Sequence, residues 1–238
     1  MTPQRLSAAE IRVRLEALII EAQTIEPCLQ KRLINLRSWI KKKTDKELAQ
    51  KSSVVGLLSE VILDSRFWLA IKNLTTEQRQ QVYTSMRISP AEQYWFDVLF
   101  PLWFNEPDPK LDSWKRELMA GNFSQSDEQI IRDVSSKIEL DGGSCTWRHT
   151  LDLSMATDLL ATGLVNNPLC VQITTGHIHN LDKKKPNWES TLKHWNIQRG
   201  LLISYNPVPN NTAAKRIAVV VLQHGDSLPL GCYTLHGA

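Results

Sequence analysis

The sequence predicts an α+β chain: an all-helical first half, then an α/β half in three layers around a mixed central sheet. Three observations carry this expectation. Apolar residues recur at helical spacing through the first hundred positions, behind recognisable helix-start residues. The proline-bearing stretch Asn105–Ser113 and the polar stretch Gly121–Gln129 then interrupt the pattern. Beyond them, short β-branched runs alternate with helical ones, which suits helices packed on a sheet. The expected domains are residues 1–120, helical, and residues 121–238, α/β.

In the first half, Ser7 followed by Glu10 has capping-box spacing, and Ile11, Leu15, Leu18, Ile19 and Ala22 form an apolar stripe. Pro27 interrupts that helix. A second runs from about Cys28 to Lys42, with Leu29, Leu33, Leu36 and Ile40 inward. Further helices are expected over Ser53–Asp64, Arg66–Leu74, Thr76–Arg87 and Ala91–Phe104, the last two behind Thr75 and Ser89-Pro90. The stretch Tyr94–Phe104 is dense in aromatics mixed with Leu and Val. It reads as core or subunit-interface packing rather than a base-stacking platform.

In the second half, Ile130, Val134 and Ile138 mark a helix, and Asp141-Gly142-Gly143 a tight turn. Three extended stretches are expected, at Cys145–Leu153, Thr157–Thr162 and Leu169–Thr175, with Leu164–Pro168 looping between the last two. The segment "KKKPNWESTLKHW" reads as a helix with proline at its N-terminus and Trp188, Leu192 and Trp195 on one face. Strands are expected at "RGLLISYNP", "RIAVVVLQ" and "GCYTLHG".

Composition sets limits on function. The 238 residues carry a net charge of only +3, contain no low-complexity tract or repeat, and have no apolar run long enough for a membrane span. The N-terminus lacks a signal-peptide core, so a cytoplasmic protein without a membrane partner is expected. Cys28, Cys145, Cys170 and Cys232 are scattered with no CxxC pair, as in a reduced intracellular chain. There is no P-loop, GxGxxG or GxSxG motif, which weakens a small-molecule enzyme reading.

The element order α-β-β-β-α-β over residues 126–206, with Asp158 at the second strand and Gln172-Ile173-Thr174 in the third, resembles a divergent PD-(D/E)XK, or restriction-endonuclease-like, nuclease domain. That resemblance covers about a third of the chain. It implies a metal-dependent endonuclease site, with Mg2+ as the cofactor and a mobile-element, restriction or defence setting. The site residues it implies are Asp158, Gln172, Thr174 and Glu139. Asp158, Gln172 and the Ile173 carbonyl would be the metal ligands. Glu128 is an alternative helix acid, and Asp152 a rival to Asp158. Thr174 stands where the family carries a lysine that orients water and stabilises phosphate charge. Lys183, Lys184 and Lys185 are candidates for a relocated one, and His177 and His179 form a nearby H-x-H pair.

Basic residues concentrate from Gln30 to Lys51, where Lys31, Arg32, Arg37, Lys41, Lys42, Lys43, Lys46 and Lys51 face only Asp45 and Glu47. Lys183, Lys184, Lys185, Lys193 and Arg199 make a second basic strip. Lys41–Lys43 and Lys183–Lys185 are the candidate DNA or RNA contacts. The competing reading is a non-catalytic subunit of a nucleoprotein complex, docking a protein partner or a second copy through the helical region.

Overall fold

The computed structural model describes residues 6–122, 128–176, 181–206 and 212–237. Among these, the helices are α1 (Ala8–Ile25), α2 (Pro27–Ile40), α3 (Asp45–Ala49), α4 (Ser52–Ile71), α5 (Thr76–Met86), α6 (Pro90–Tyr94), α7 (Phe100–Asn105), α8 (Leu111–Ala120), α9 (Glu128–Leu140), α10 (His149–Met155), α11 (Leu181–His194) and α12 (Thr212–Ser227). The strands are β1 (Ser144–Thr146), β2 (Leu159–Thr162), β3 (Pro168–Thr175), β4 (Arg199–Tyr205) and β5 (Cys232–Gly237). Two compact units divide the chain: residues 1–87 with 96–124, and residues 88–95 with 125–238. This differs from one boundary near residue 120, because α6 groups with the α/β unit.

The helical unit begins as the capping residues dictate. Ser7 Oγ accepts the Glu10 N–H at 3.3 Å, and the Glu10 carboxylate accepts the Ser7 N–H at 2.9 Å. The expected inward residues of α1 and α2 are buried. Helix α4 is continuous where two helices were expected, since Val61, Ile62, Asp64, Ser65 and Trp68 are all buried across the supposed break. A π-helical turn, Trp95–Leu99, precedes α7. It lies just before Pro101, which has no N–H for regular helical bonding. Trp95, Phe96, Phe100, Trp103 and Phe104 are buried, so these aromatics pack inside rather than offering stacking faces.

In the α/β unit the sheet order is β1-β2-β3-β4-β5. Strand β2 is antiparallel to β1 and β3, while β3, β4 and β5 run parallel. Helices α9 and α12 cover one face: Val134, Ile138, Ala214, Ile217 and Val221 pack with Leu159, Val171, Ile173, Leu201 and Ile203. Helix α11 covers the other. There, Trp188 and Leu192 sit so close to Gly200 that a side chain at that position would collide with both. Hydrogen bonds from Trp195 Nε1 to Ser154 O (2.8 Å) and Trp188 Nε1 to Ala156 O (3.2 Å) tie α11 to α10.

Three further segments differ from their expected secondary structure. Residues 149–155 are helical rather than part of an extended Cys145–Leu153. Leu151, Leu153 and Met155 alternate as in a strand, but Thr150 and Ser154 are buried too, so burial here does not follow the alternation. The "RIAVVVLQ" segment lies in helix α12. Its β-branched run suggested a strand, yet Ala213, Ala214, Ile217, Ala218 and Val221 form a helical stripe once the window opens at Thr212. Pro186 lies inside α11, which starts at Leu181, rather than at its N-terminus.

Candidate phosphate-binding site at the strand ends

Asp158 extends β2 by one hydrogen bond, its N–H donating to Val171 O at 2.9 Å. In the continued register it stands opposite Gln172. Beyond that point β2 has no further residue to pair with β3, and the Ile173 N–H would be left without a ladder acceptor. The Asp158 carboxylate fills the gap: Oδ2 accepts the Ile173 N–H at 2.6 Å and Gln172 Nε2 at 2.7 Å. The strand end thus holds its carboxylate by charge-assisted hydrogen bonds.

Gln172 and Thr174 are half-buried on the face opposite the Ile173 side chain, because residues alternate along a strand. Thr174 stands beside Ser204 in the parallel β3–β4 register. Its hydroxyl accepts Lys184 Nζ at 3.2 Å. One lysine of the three at the start of α11 therefore delivers a cation to the position where the strand itself carries threonine. Lys183 is exposed, while Lys185 pairs with Glu189 at 3.5 Å, and Glu189 also holds Lys193 at 3.7 Å. The group lies at the C-terminal end of β3 and β4, where open parallel sheets commonly bind ligands. Ser204 was not singled out in the sequence. A lone hydroxyl in an apolar strand was its only signal.

Glu139 does not join this group. It lies against Cys145, whose Sγ is 3.8 Å from Glu139 Oε1. Cys145 pairs with Ala161, three residues and roughly 10 Å along β2 from Asp158. Ala161 also belongs to the opposite, α9–α12 face. Glu128 pairs with Arg132, and Asp152 sits in the first turn of α10. His177 and His179 lie outside the described residues.

The donor set does not fit the expected Mg2+. That ion takes near-octahedral oxygen ligands, usually one or two carboxylates with water and phosphate oxygens. Here the Asp158 carboxylate already serves two N–H donors on one oxygen. Gln172 turns its N–H toward it, and the Ile173 N–H donates to the same oxygen. Among the described residues no three His, Cys, Asp or Glu side chains converge as a metal-binding group. What the arrangement offers an anion is the Lys184 ammonium, the exposed Lys183, and the Thr174 hydroxyl.

The first basic segment is also thinner than its sequence. Arg32 is buried, donating to the carbonyls of Trp103 (2.5 Å) and Glu106 (2.7 Å). Arg37 pairs with Glu16 at 2.6 Å and Lys43 with Glu47 at 3.9 Å. Lys41 and Lys42 are exposed at the end of α2. Arg199, counted in the second basic strip, is buried at the end of α12 and is no phosphate ligand. All four cysteines are free thiols. Among the described residues no helix is long and apolar enough to cross a membrane. No protein-family model, curated protein or solved structure matched this chain.

Proposed function

We propose that this chain is a nucleic-acid-binding protein with a restriction-endonuclease-like α/β unit, which grips the phosphodiester backbone at the C-terminal ends of β3 and β4 without hydrolysing it. The observation that carries the reading is the 3.2 Å contact of Lys184 Nζ with Thr174 Oγ1, beside the Asp158–Gln172 pair. The order α9-β1-β2-β3-α11-β4 supports the fold assignment, with α10 inserted between β1 and β2. Lys184 and Lys183 supply positive charge, and the Thr174 hydroxyl supplies a donor once a phosphate oxygen competes for the lysine. Asp158 shapes the site by holding the Ile173 and Gln172 N–H groups.

Fluorescence anisotropy with labelled single- and double-stranded DNA and RNA, in metal-free buffer, tests the proposal. Binding at 50 mM salt should weaken steeply by 200 mM. Lys184→Ala should lower affinity about tenfold and flatten the salt dependence by about one phosphate contact. Absence of binding to all four probes at 50 mM salt overturns the proposal. Unchanged affinity in Lys184→Ala removes the site. Mg2+- or Mn2+-dependent cleavage that disappears in Asp158→Ala would replace the non-hydrolytic reading with a phosphodiesterase.

A further inference from the structure

Away from the strand ends, two histidines face one another on the α12 side of the sheet. His224 lies in the last turns of α12. His236 lies on β5, in register with Ile203, whose side chain belongs to the core under α12. Their ring centroids are 5.9 Å apart with planes at 75°. Metal–nitrogen bonds of about 2.0–2.1 Å place two imidazoles on one tetrahedral ion with centroids roughly 5–6 Å apart. The separation of the two rings falls in that range.

The second observation is the orientation of His224. Its Nδ1 is 3.0 Å from Val220 O, and a carbonyl can only accept, so Nδ1 carries the proton. The remaining nitrogen, Nε2, then presents a lone pair. A metal-ligating histidine is commonly held this way, with its other N–H given to a backbone carbonyl. Both side chains are half-buried on regular elements, which limits the entropy lost on binding.

From this geometry we infer that His224 and His236 form a two-histidine site for a borderline divalent transition metal such as Zn2+, Ni2+ or Cu2+, with water completing the coordination shell. Imidazole nitrogens suit these ions and not Mg2+. A bound ion would clamp the last strand of the sheet to α12. The inference is independent of the proposed nucleic-acid site.

Calorimetric titration of the chelator-treated full chain with ZnCl2 and NiCl2 tests it. One ion per chain is expected, with a rise in unfolding temperature on metal addition. His224→Gln and His236→Gln should each weaken binding at least tenfold while leaving the circular dichroism spectrum unchanged. Protection of both histidines from diethylpyrocarbonate by metal, measured on the unsubstituted chain by mass spectrometry, reads the same site should a variant misfold. Binding that survives both substitutions, binding lost instead in a His177→Gln/His179→Gln variant, or no protection at 1 mM metal overturns the assignment.

Discussion

Replacing Arg199 by methionine should destabilise the α/β unit more than any surface change in it. Arg199 is 4% exposed, and its guanidinium donates to four carbonyls. Nε reaches Leu228 O at 2.7 Å, Nη2 reaches His224 O at 2.8 Å and Gly225 O at 2.7 Å, and Nη1 reaches Pro168 O at 3.2 Å. Two of these acceptors lie in the last turn of α12 and Leu228 O lies just past it; His224 O also accepts the Leu228 N–H at 3.0 Å. The fourth opens β3, so a single side chain joins helix, strand and loop. Hydrogen bonds from a charged donor contribute about 1.5–3 kcal/mol each, but burying the cation offsets much of that sum. Burial indeed weakens the hold of Arg199 on its proton. The net loss expected in Arg199→Met is about 3–5 kcal/mol, since several buried carbonyls lose their donor at a cost of about 1–3 kcal/mol each while the cost of burying the cation disappears. That corresponds to roughly 10 °C in unfolding temperature for a chain of this size. Arg199→Lys keeps the charge but loses the fork and should lose about half as much. Urea unfolding followed by circular dichroism, with hydrogen exchange over residues 212–227, measures both effects. An Arg199→Met variant within 1 kcal/mol of the parent, with α12 amides still protected, would refute the reasoning.

Three further outcomes follow from specific contacts. Gly163→Ala would drive a methyl into the Asp226 carboxylate, which accepts the Val165 N–H at 3.0 Å. A loss of about 1–3 kcal/mol is expected, and Gly163→Ala/Asp226→Ala should lose less than the two single changes together, as a double-mutant cycle by urea unfolding would show. Asp158→Ala leaves the Ile173 N–H without its acceptor, and chemical denaturation should register about 1–3 kcal/mol; no change would mean that the carboxylate does not hold this strand end. Burial pushes the Cys170 thiol up to about 12 from an ordinary value of 9.0. The unfolded chain therefore releases this proton first as pH rises. The contribution of Cys170 to stability is complete below about pH 9 and is lost progressively toward pH 12, at about 1.4 kcal/mol per pH unit. The stability difference between the parent and Cys170→Ala, measured in urea at pH 7, 9 and 10.5, should move against the parent only above pH 9.

Local chemistry made much of the helical half legible. Ser7 with Glu10, Thr75 with Gln78 and Ser89 with Glu92 all form the reciprocal caps their spacing announces. The apolar stripes of α1 and α2 bury the residues expected from helical period. Strand β3 was equally plain, because an apolar β-branched run starting at proline and closed by glycine has few other uses. Where local pattern and burial disagreed, the sequence misled. The valines of α12 favour a strand in isolation, and the alternating leucines of α10 mimic one, but both segments are helices because packing overrides propensity of a few tenths of a kcal/mol per residue.

The candidate site divides along the same line. The sequence by itself determined that Asp158, Gln172 and Thr174 lie on neighbouring strands and that lysines follow within ten residues. Only the tertiary structure decided that Lys184 is the lysine that reaches Thr174, that Asp158 is occupied by two N–H groups, and that Glu139 lies at the far end of β2 on the opposite face. It also turned Arg199 from a surface charge into a buried clasp and set His224 against His236. The physical reason is common to all of these: spacing along a chain fixes which residues share an element, whereas the partner of a charged or polar side chain is set by which elements pack together, through contacts remote in sequence.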